Sequence, residues 1–331
     1  MQTRLLQPTA RNLALLARRL RAGELVAVPT ETVYGLAAHA LDPAACAKIY
    51  RAKGRPASDP LIVHLHSAAQ LPLVCQPNAA ALKLARRFWP GPLTLVLPKL
   101  AAVPGIVTAG RDSVAVRVPS HPVFRRLLKL AGIPLAAPSA NPFGYISPTT
   151  AAHVREGLGG KIRDILDGGP ATIGLESTIV DLRDPKRPVI LRPGAITLAD
   201  IRRVLRTATE RAPTGHKTGR SGGQIAPGLL ARHYSPRTPV VLHIALPPEI
   251  ANMEDLREAW IFLRRPHSAK KSAPNIFWLD ARGSLAGAAR RLFATLRTVD
   301  AQRFRRIHVE LAPDHDLGRA INDRLRRAAA R

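Results

Sequence analysis

From Glu24 to about Arg206, short apolar runs alternate with stretches of helical period. Apolar runs closed by turn residues fit strands, and apolar positions three or four apart fit helices. The strand candidates are Leu25–Val28, Leu61–Leu65, Thr94–Leu97, Val114–Val118, Leu135–Ala137, Thr178–Leu182 and Val189–Leu191. The helix candidates are Pro43–Arg51, Ala79–Phe88, Pro122–Ala131, Thr150–Leu158 and Leu198–Leu205, and residues 1–23 read as an amphipathic helix. Interleaved strands and helices argue for an α/β or α+β sheet domain. Around Thr94 to Val118 and from Thr178 to Leu191, strands follow one another with no helix between them, so a mixed sheet is expected.

The pattern stops at Thr207. Residues 207–227 are polar, rich in Gly, Thr and Arg, and without hydrophobic period, which reads as a flexible linker. Beyond it, Pro239–Ala245, Trp260–Leu263, Ile276–Leu279 and Ile307–Leu311 read as strands, and Glu249–Ala259, Leu285–Val299 and Leu317–Ala329 as helices. This is the rhythm of a second, smaller α/β unit. The expected division is a domain over 1–206, a linker or lid over 207–238, and a second domain over 239–331.

Composition adds three things. Of 331 residues, 46% are hydrophobic and only 4% aromatic, so the cores must be built mainly from Ala, Leu, Val and Ile. No apolar run approaches the ~20 residues needed to span a bilayer, and Cys46 and Cys75 are too far apart for a metal-ligand spacing. A cytoplasmic protein is expected, with no membrane partner. The formal net charge of +27 favours phosphate-bearing partners, on nucleotides or on RNA. The charge is dominated by Arg and spread along the chain, so it singles out no surface.

Several segments carry candidate chemistry, and each also has a purely structural reading. Residues 28–36 bring two Thr hydroxyls and a Glu to a strand end, a usual place for a site and equally for a capped turn. Lys53 and Arg55 flank Gly54 where a helix stops, so they either meet the helix dipole or present a pair of phosphate ligands. His64 lies within an apolar strand, as a core histidine does, but is only nine positions past Arg55. Ser113 and Arg117 share one face of a strand, and Arg117 needs a partner or a ligand such as a substrate carboxylate. Ser139 and Asn141 sit in a loop pinned by prolines, followed by Ser147, and such loops ordinarily cap helices. Residues 176–181 and 191–194 form two strands presenting polar groups. The chain has no P-loop, no glycine-rich dinucleotide fingerprint, no zinc spacing and no nucleophile elbow.

In this order PTETVYGL, KGRP, LIVH, VAVRVP, PSAN, ESTIVD and LRPG, spread over residues 28–194, resemble the YrdC-like family. Residues 226–236, APGLLARHYSP, resemble the linker segment of its long-form members, the threonylcarbamoyl-AMP synthases with a further C-terminal domain. The resemblance implies an open, twisted, mixed-sheet YrdC-like domain followed by a smaller Rossmann-like α/β domain. It implies a nucleotidyltransferase that makes threonylcarbamoyl-adenylate, pyrophosphate and water from L-threonine, bicarbonate and ATP, with Mg2+ carried by the ATP and no metal ligand from the protein. The product would serve N6-threonylcarbamoyladenosine modification of tRNA through a partner transferase, and direct tRNA contact is a further expectation.

Carried over by position, the resemblance implies Lys53 and Arg55 as catalytic cations on the ATP phosphates. It places Asp59, Ser139, Asn141, Ser147, Arg192, Tyr234 and Ser235 at the nucleotide, with Tyr234 and Ser235 in a segment folding over the site. It places Thr32, His64, Ser113, Arg117 and Ser177 at threonine. Family members often carry Asn or His at the position of Asp59, Thr at Ser113, and Met-Lys at Leu229-Leu230. The competing reading is a basic RNA-binding protein without catalysis; a third is carbamoyl transfer to another acceptor.

Overall fold

The computed structural model describes residues 1–207, 209–212, 223–231, 233–247, 255–266 and 274–330. Among them the chain forms two separate sheets. The first contains β1 (Arg4–Leu6), β2 (Val26–Val28), β3 (Gly35–His39), β4 (Ile62–His64), β5 (Leu93–Pro98) and β6 (Ser113–Arg117). It continues with β7 (Leu135–Ala136), β8 (Asp164–Leu166), β9 (Thr178–Asp181), β10 (Val189–Arg192) and β11 (Glu210–Arg211). Their order across the sheet is β1-β8-β2-β3-β7-β4-β6-β5-β9-β10-β11. The sheet is mixed, as the consecutive strands in the sequence required: β4 and β6 are parallel, whereas β5 and β6 are antiparallel.

Helices cover this sheet unequally. α1 (Ala10–Arg21) and α5 (Pro122–Ala131) pack together over β2, β3 and β7 through Leu13, Leu16, Leu20, Phe124 and Leu127. The larger core lies under α2 (Pro43–Lys53), α3 (Ala79–Phe88), α4 (Gly105–Thr108), α6 (Ala151–Leu158) and α7 (Leu198–Leu205). A small apolar group, Ile62, Val96, Ala115, Ile179 and Leu191, lies under the chain at Ala226 and Leu229. That patch of sheet is roofed by the segment that follows the first domain.

The second sheet is wholly parallel, in the order β12 (Val240–His243), β15 (Arg306–Glu310), β13 (Glu258–Arg264) and β14 (Ile276–Asp280). α8 (Leu285–Ala301) and α9 (Asp316–Ala329) pack against it. Their core does not stop at the domain edge. Val33, Ile146 and Leu175 of the first unit join Phe293, Leu296 and Leu325 of the second in one buried cluster, with Tyr234 between them. No helix among the described residues is long and apolar enough to cross a membrane.

The helix expected over residues 1–23 is shorter than that, since Arg4–Leu6 is β1 and the helix runs only over Ala10–Arg21, and three further points need correction. The helix expected over Glu249–Ala259 is contradicted at its end: residues 255–257 lie outside any helix and Glu258–Arg264 is a strand. There the buried Ala259 and Ile261 alternate with the half-buried Glu258 and Trp260, a period of two that ends at the buried Phe262. Residues 249–254 of that helix and 213–222 of the expected linker lie outside the described residues. The linker was expected to be structureless, yet β11 adds to the sheet edge, parallel to β10. A central strand was missed at β3, Gly-Leu-Ala-Ala-His, because its residues have low strand preference and tertiary pairing decides their state.

Candidate active site

The cationic end of the site is built by one helix terminus. Asp42 caps α2 by accepting from the backbone N–H groups of Ala44 and Ala45, and Pro43 occupies its first turn. Gly54 ends the helix in the left-handed region at φ 63°, and the Arg55 N–H donates back to the Tyr50 carbonyl at 3.0 Å. This stop turns Lys53 and Arg55 inward, and both are buried. The Lys53 ammonium donates to the carbonyl oxygens of Ser139 and Asn141. Burial, then the neighbouring Arg55, pull its pKa well below the ordinary lysine value. Arg55 donates to the carbonyls of Asp59 (2.9 Å) and Pro60 (2.6 Å), and its Nη2 lies 2.9 Å from the Asp59 carboxylate, off-line for a hydrogen bond. Asp59 is fully buried, which pushes its pKa up against the opposing pull of Arg55 and Lys53. Arg55 is the nearest cation opposing that burial.

The other end is built where β2, β4 and β6 finish. The Thr30 hydroxyl accepts from the N–H groups of Thr32 and Val33 and lies 2.8 Å from the Thr32 hydroxyl. Arg117 Nη1 donates to Thr32 Oγ1 at 3.0 Å and its Nε to the Gly91 carbonyl at 3.2 Å. The partner that a buried Arg117 demanded is Glu31, with Oε1 2.8 Å from Nη2. Burial alone would raise the Glu31 carboxyl; the Arg117 guanidinium outweighs it and holds the group below its ordinary value. His64 is paired in register with Arg117 across β4 and β6. Burial, reinforced by Arg117, brings its pKa down to about 3, so the ring is neutral at ordinary pH.

Between these ends lie Ser177 and Arg192. Arg192 donates from Nε to the Ser177 carbonyl (3.1 Å) and from Nη2 to its hydroxyl (3.2 Å), which also meets Thr94 Oγ1 at 2.7 Å. Ser147 is wholly buried and donates to Glu176 Oε1 at 2.6 Å. Asn141 uses its amide to close its own loop, donating to the carbonyls of Pro142 and Tyr145. Tyr234 has a left-handed backbone, φ 60°, which is unfavourable for a residue with a bulky side chain. It is fixed by packing, stacked 5.5 Å from the Phe293 ring and 4.1 Å from the edge-on ring of His233. Ser235 ties the same segment down, its N–H donating to the Gly144 carbonyl at 2.8 Å.

One cavity is lined by Thr32, His64, Arg117, Arg55, Ser139, Ser177, Arg192 and Tyr234. These expected residues are thus brought together. Lys53, Asp59, Asn141, Ser147 and Ser235 stand behind that lining, joined to it or to its loops by the bonds above. Ser113, expected at threonine, does not join Thr32, His64 and Arg117 at the cavity. It opens β6 while Arg117 closes it, and four residues of strand span roughly 13 Å. Sharing a strand face did not make the two neighbours. Glu176 and His233 were given no role beforehand, and Thr30 and Glu31 only a place among the polar groups at a strand end. All four line the cavity or pair with its lining, and all lie within the matched segments. His233 is kept neutral, its pKa well below the ordinary value through burial and then through Arg55 and Lys53.

The family model described as telomere recombination, Sua5_yciO_yrdC, matches residues 18–194, and that of the threonylcarbamoyl-AMP synthase C-terminal domain matches residues 196–330. The chain is similar to the threonylcarbamoyl-AMP synthase of Pyrococcus abyssi, at 42% identity over 94% of this chain and 92% of that protein. It is similar to the enzyme of that name from Bacillus subtilis, at 40% identity over 96% of this chain and 92% of that protein. The crystal structure of P. abyssi Sua5 complexed with L-threonine superposes with a TM-score of 0.89 at 39% identity, covering 99% of this chain and 98% of that one. Family models, relatives of nearly full length and fold agree along the whole chain, and it belongs to the Sua5/YrdC family of threonylcarbamoyl-AMP synthases.

Proposed function

We propose that this cavity is where L-threonine, bicarbonate and ATP are joined. The Thr32, His64 and Arg117 end takes the amino acid, and the Lys53 and Arg55 end, with Arg192 beside it at the middle of the cavity, takes the triphosphate. One observation carries the reading: three buried guanidinium groups, those of Arg117, Arg55 and Arg192, line a single cavity together with hydroxyl groups. Glu31 and Asp59 already meet Arg117 and Arg55, whereas no ion pair is formed by Arg192 among the described residues, and an anion in the cavity would meet it and the outward faces of the other two. P. abyssi Sua5 has been solved with L-threonine, which supports the amino-acid end.

In the reaction, the threonine amine forms a C–N bond to the carbon of bicarbonate, and water is lost. A carbamate oxygen then bonds to the α-phosphorus of ATP as the bond to the pyrophosphate oxygen breaks. The chain contributes positioning and charge, the main needs of phosphoryl chemistry. Arg117 orients the threonine carboxylate, and Thr32 its polar groups. Arg55, Lys53 and Arg192 gather the negative charge of the leaving pyrophosphate. His64 and His233 are neutral and serve as hydrogen-bonding groups. Among the described residues no cluster of His, Cys, Asp and Glu is built to hold a metal ion. A Mg2+ ion carried by the triphosphate would neutralise part of the substrate's charge.

The space in this cavity is only about 40 Å3, little more than one water's share of liquid volume. Substrates need several hundred, so the segment from Ala226 to Ser235 acts as a lid that opens for entry and closes for chemistry. The adenylate then passes to a partner transferase acting on tRNA. A cytoplasmic location fits this role and the two free, buried cysteines.

Calorimetric titration with L-threonine tests the assignment of the two ends. Threonine binds the parent protein and not Arg117→Met, while Arg192→Met keeps threonine binding and loses ATP. Undiminished threonine binding by Arg117→Met would move the amino acid elsewhere.

A further inference from the structure

The C-terminal domain reaches the site through one side chain. Arg324, in the middle of α9, has no solvent-exposed surface. Its Nε donates to Glu176 Oε2 at 2.7 Å, its Nη2 to the Glu176 carbonyl at 3.4 Å, and its Nη1 to the Pro193 carbonyl at 3.0 Å and to Asp323 Oδ2 at 2.8 Å. Glu176 lines the cavity and spends its second oxygen on the Ser147 hydroxyl. The guanidinium carbon also lies 5.4 Å from the centre of the Tyr234 ring. One arginine from the last helix therefore touches the cavity wall and the lid, and reaches the Ser147 loop through Glu176.

A buried ion pair across a domain boundary is a poor source of stability, since a packed apolar pair of the same size does as well or better. Orientation explains it. Residues 176–178 already pack so tightly that a Cβ on Gly194 would lie 2.8 Å from the Glu176 carbonyl oxygen. Only the Glu176 side chain remains to be fixed, and it shares the cavity with the Arg192 guanidinium. Without Arg324, the carboxylate would turn to that cation and occupy it. The neighbouring loop is held from the same domain a second time: Tyr145 Oη donates to Asp300 Oδ2 at 2.8 Å and Arg297 to the Ile146 carbonyl at 2.6 Å.

We infer that Arg324 is a positioning residue for the ATP end of the site, holding Glu176 off Arg192 and against Ser147, so that the C-terminal domain completes the active site. This rests on the reading of the cavity as the ATP site. The test is steady-state kinetics of pyrophosphate release, with ATP and threonine varied separately, on the full chain. Arg324→Met raises the KM for ATP by about tenfold or more and that for threonine by less than about threefold. The double variant Arg324→Met with Glu176→Gln, which removes the competing charge and keeps an acceptor for Ser147, returns the KM for ATP to within about threefold of the parent. A merely structural role would lower the melting temperature without this selective rescue. Arg324→Lys keeps the charge but cannot span Glu176 and Pro193 together, and gives an intermediate KM of about threefold above the parent. A parent-like KM for ATP in Arg324→Met overturns the inference, as does a raised one that Glu176→Gln leaves unrelieved. If Arg324→Met does not fold, a parent-like KM in Arg324→Lys overturns it. A parent enzyme that binds no ATP would instead overturn the reading of the site.

Discussion

Glu31 Oε1 and Arg117 Nη2 lie 2.8 Å apart with both side chains buried, so the arginine facing the cavity is half of a pair. Removing one partner leaves the other charge buried alone. Arg117→Met should therefore cost about 3–5 kcal/mol in denaturant unfolding. Adding Glu31→Gln to it should recover most of that stability while threonine binding stays lost. Equal stability of Arg117→Met and the parent would show that the pair is not closed in solution.

Lys53 ties down the loop of Ser139 and Asn141 from beneath the cavity. Lys53→Met removes both the charge and this anchor. Pyrophosphate release should fall by about 100-fold or more in kcat/KM for ATP, with the circular dichroism spectrum unchanged. A fall below about threefold would remove Lys53 from the triphosphate end.

Gly228 tests the lid. Its φ is +76°, and a Cβ there would lie 2.7 Å from Tyr234 Oη and 2.9 Å from Arg192 Nη1. Gly228→Ala should lower kcat by about tenfold and stability by about 1 kcal/mol. Gly132, at the end of α5, has φ +67° with nothing within 4 Å of the added carbon. Gly132→Ala carries the same backbone strain, so its stability should drop while its rate holds. Equal rates in both variants would argue that the segment from Ala226 to Ser235 does not close tightly during turnover.

Acid should weaken the fold through His64. Its pKa in the fold is about 3, below the ordinary value of 6.5, because burial disfavours the charged ring. The stability this contributes is complete above pH 6.5 and is lost as pH falls towards 3. The melting temperature of the parent should drop faster than that of His64→Gln between pH 6.5 and about 4. Parallel curves would mean that His64 is solvated.

The sequence made the first sheet and its helices legible because their signals are local. Asp42 and Gly54 bound α2, and turn residues close the apolar runs at β4 and β6. β3 was not legible, since Gly-Leu-Ala-Ala-His owes its state to partners on both sides. Within the site, Lys53, Arg55 and Arg117 could be singled out as charges in apolar or helix-end settings. Two of the pairings could not: Glu31 meets Arg117 and Glu176 meets Arg324 only through the fold, in the last case 148 positions away. Ser113 shows the reverse error, a shared strand face taken for proximity although the strand separates it from Arg117.

The most direct test of the account follows the atoms into the product. The full chain is incubated with ATP labelled at the α-phosphorus, L-threonine and labelled bicarbonate, and the nucleotides are separated. The account predicts one adenylate carrying both labels, formed with an equal amount of pyrophosphate, and none when threonine or bicarbonate is omitted. Hydrolysis to ADP and phosphate, or an adenylate without the bicarbonate label, would contradict it.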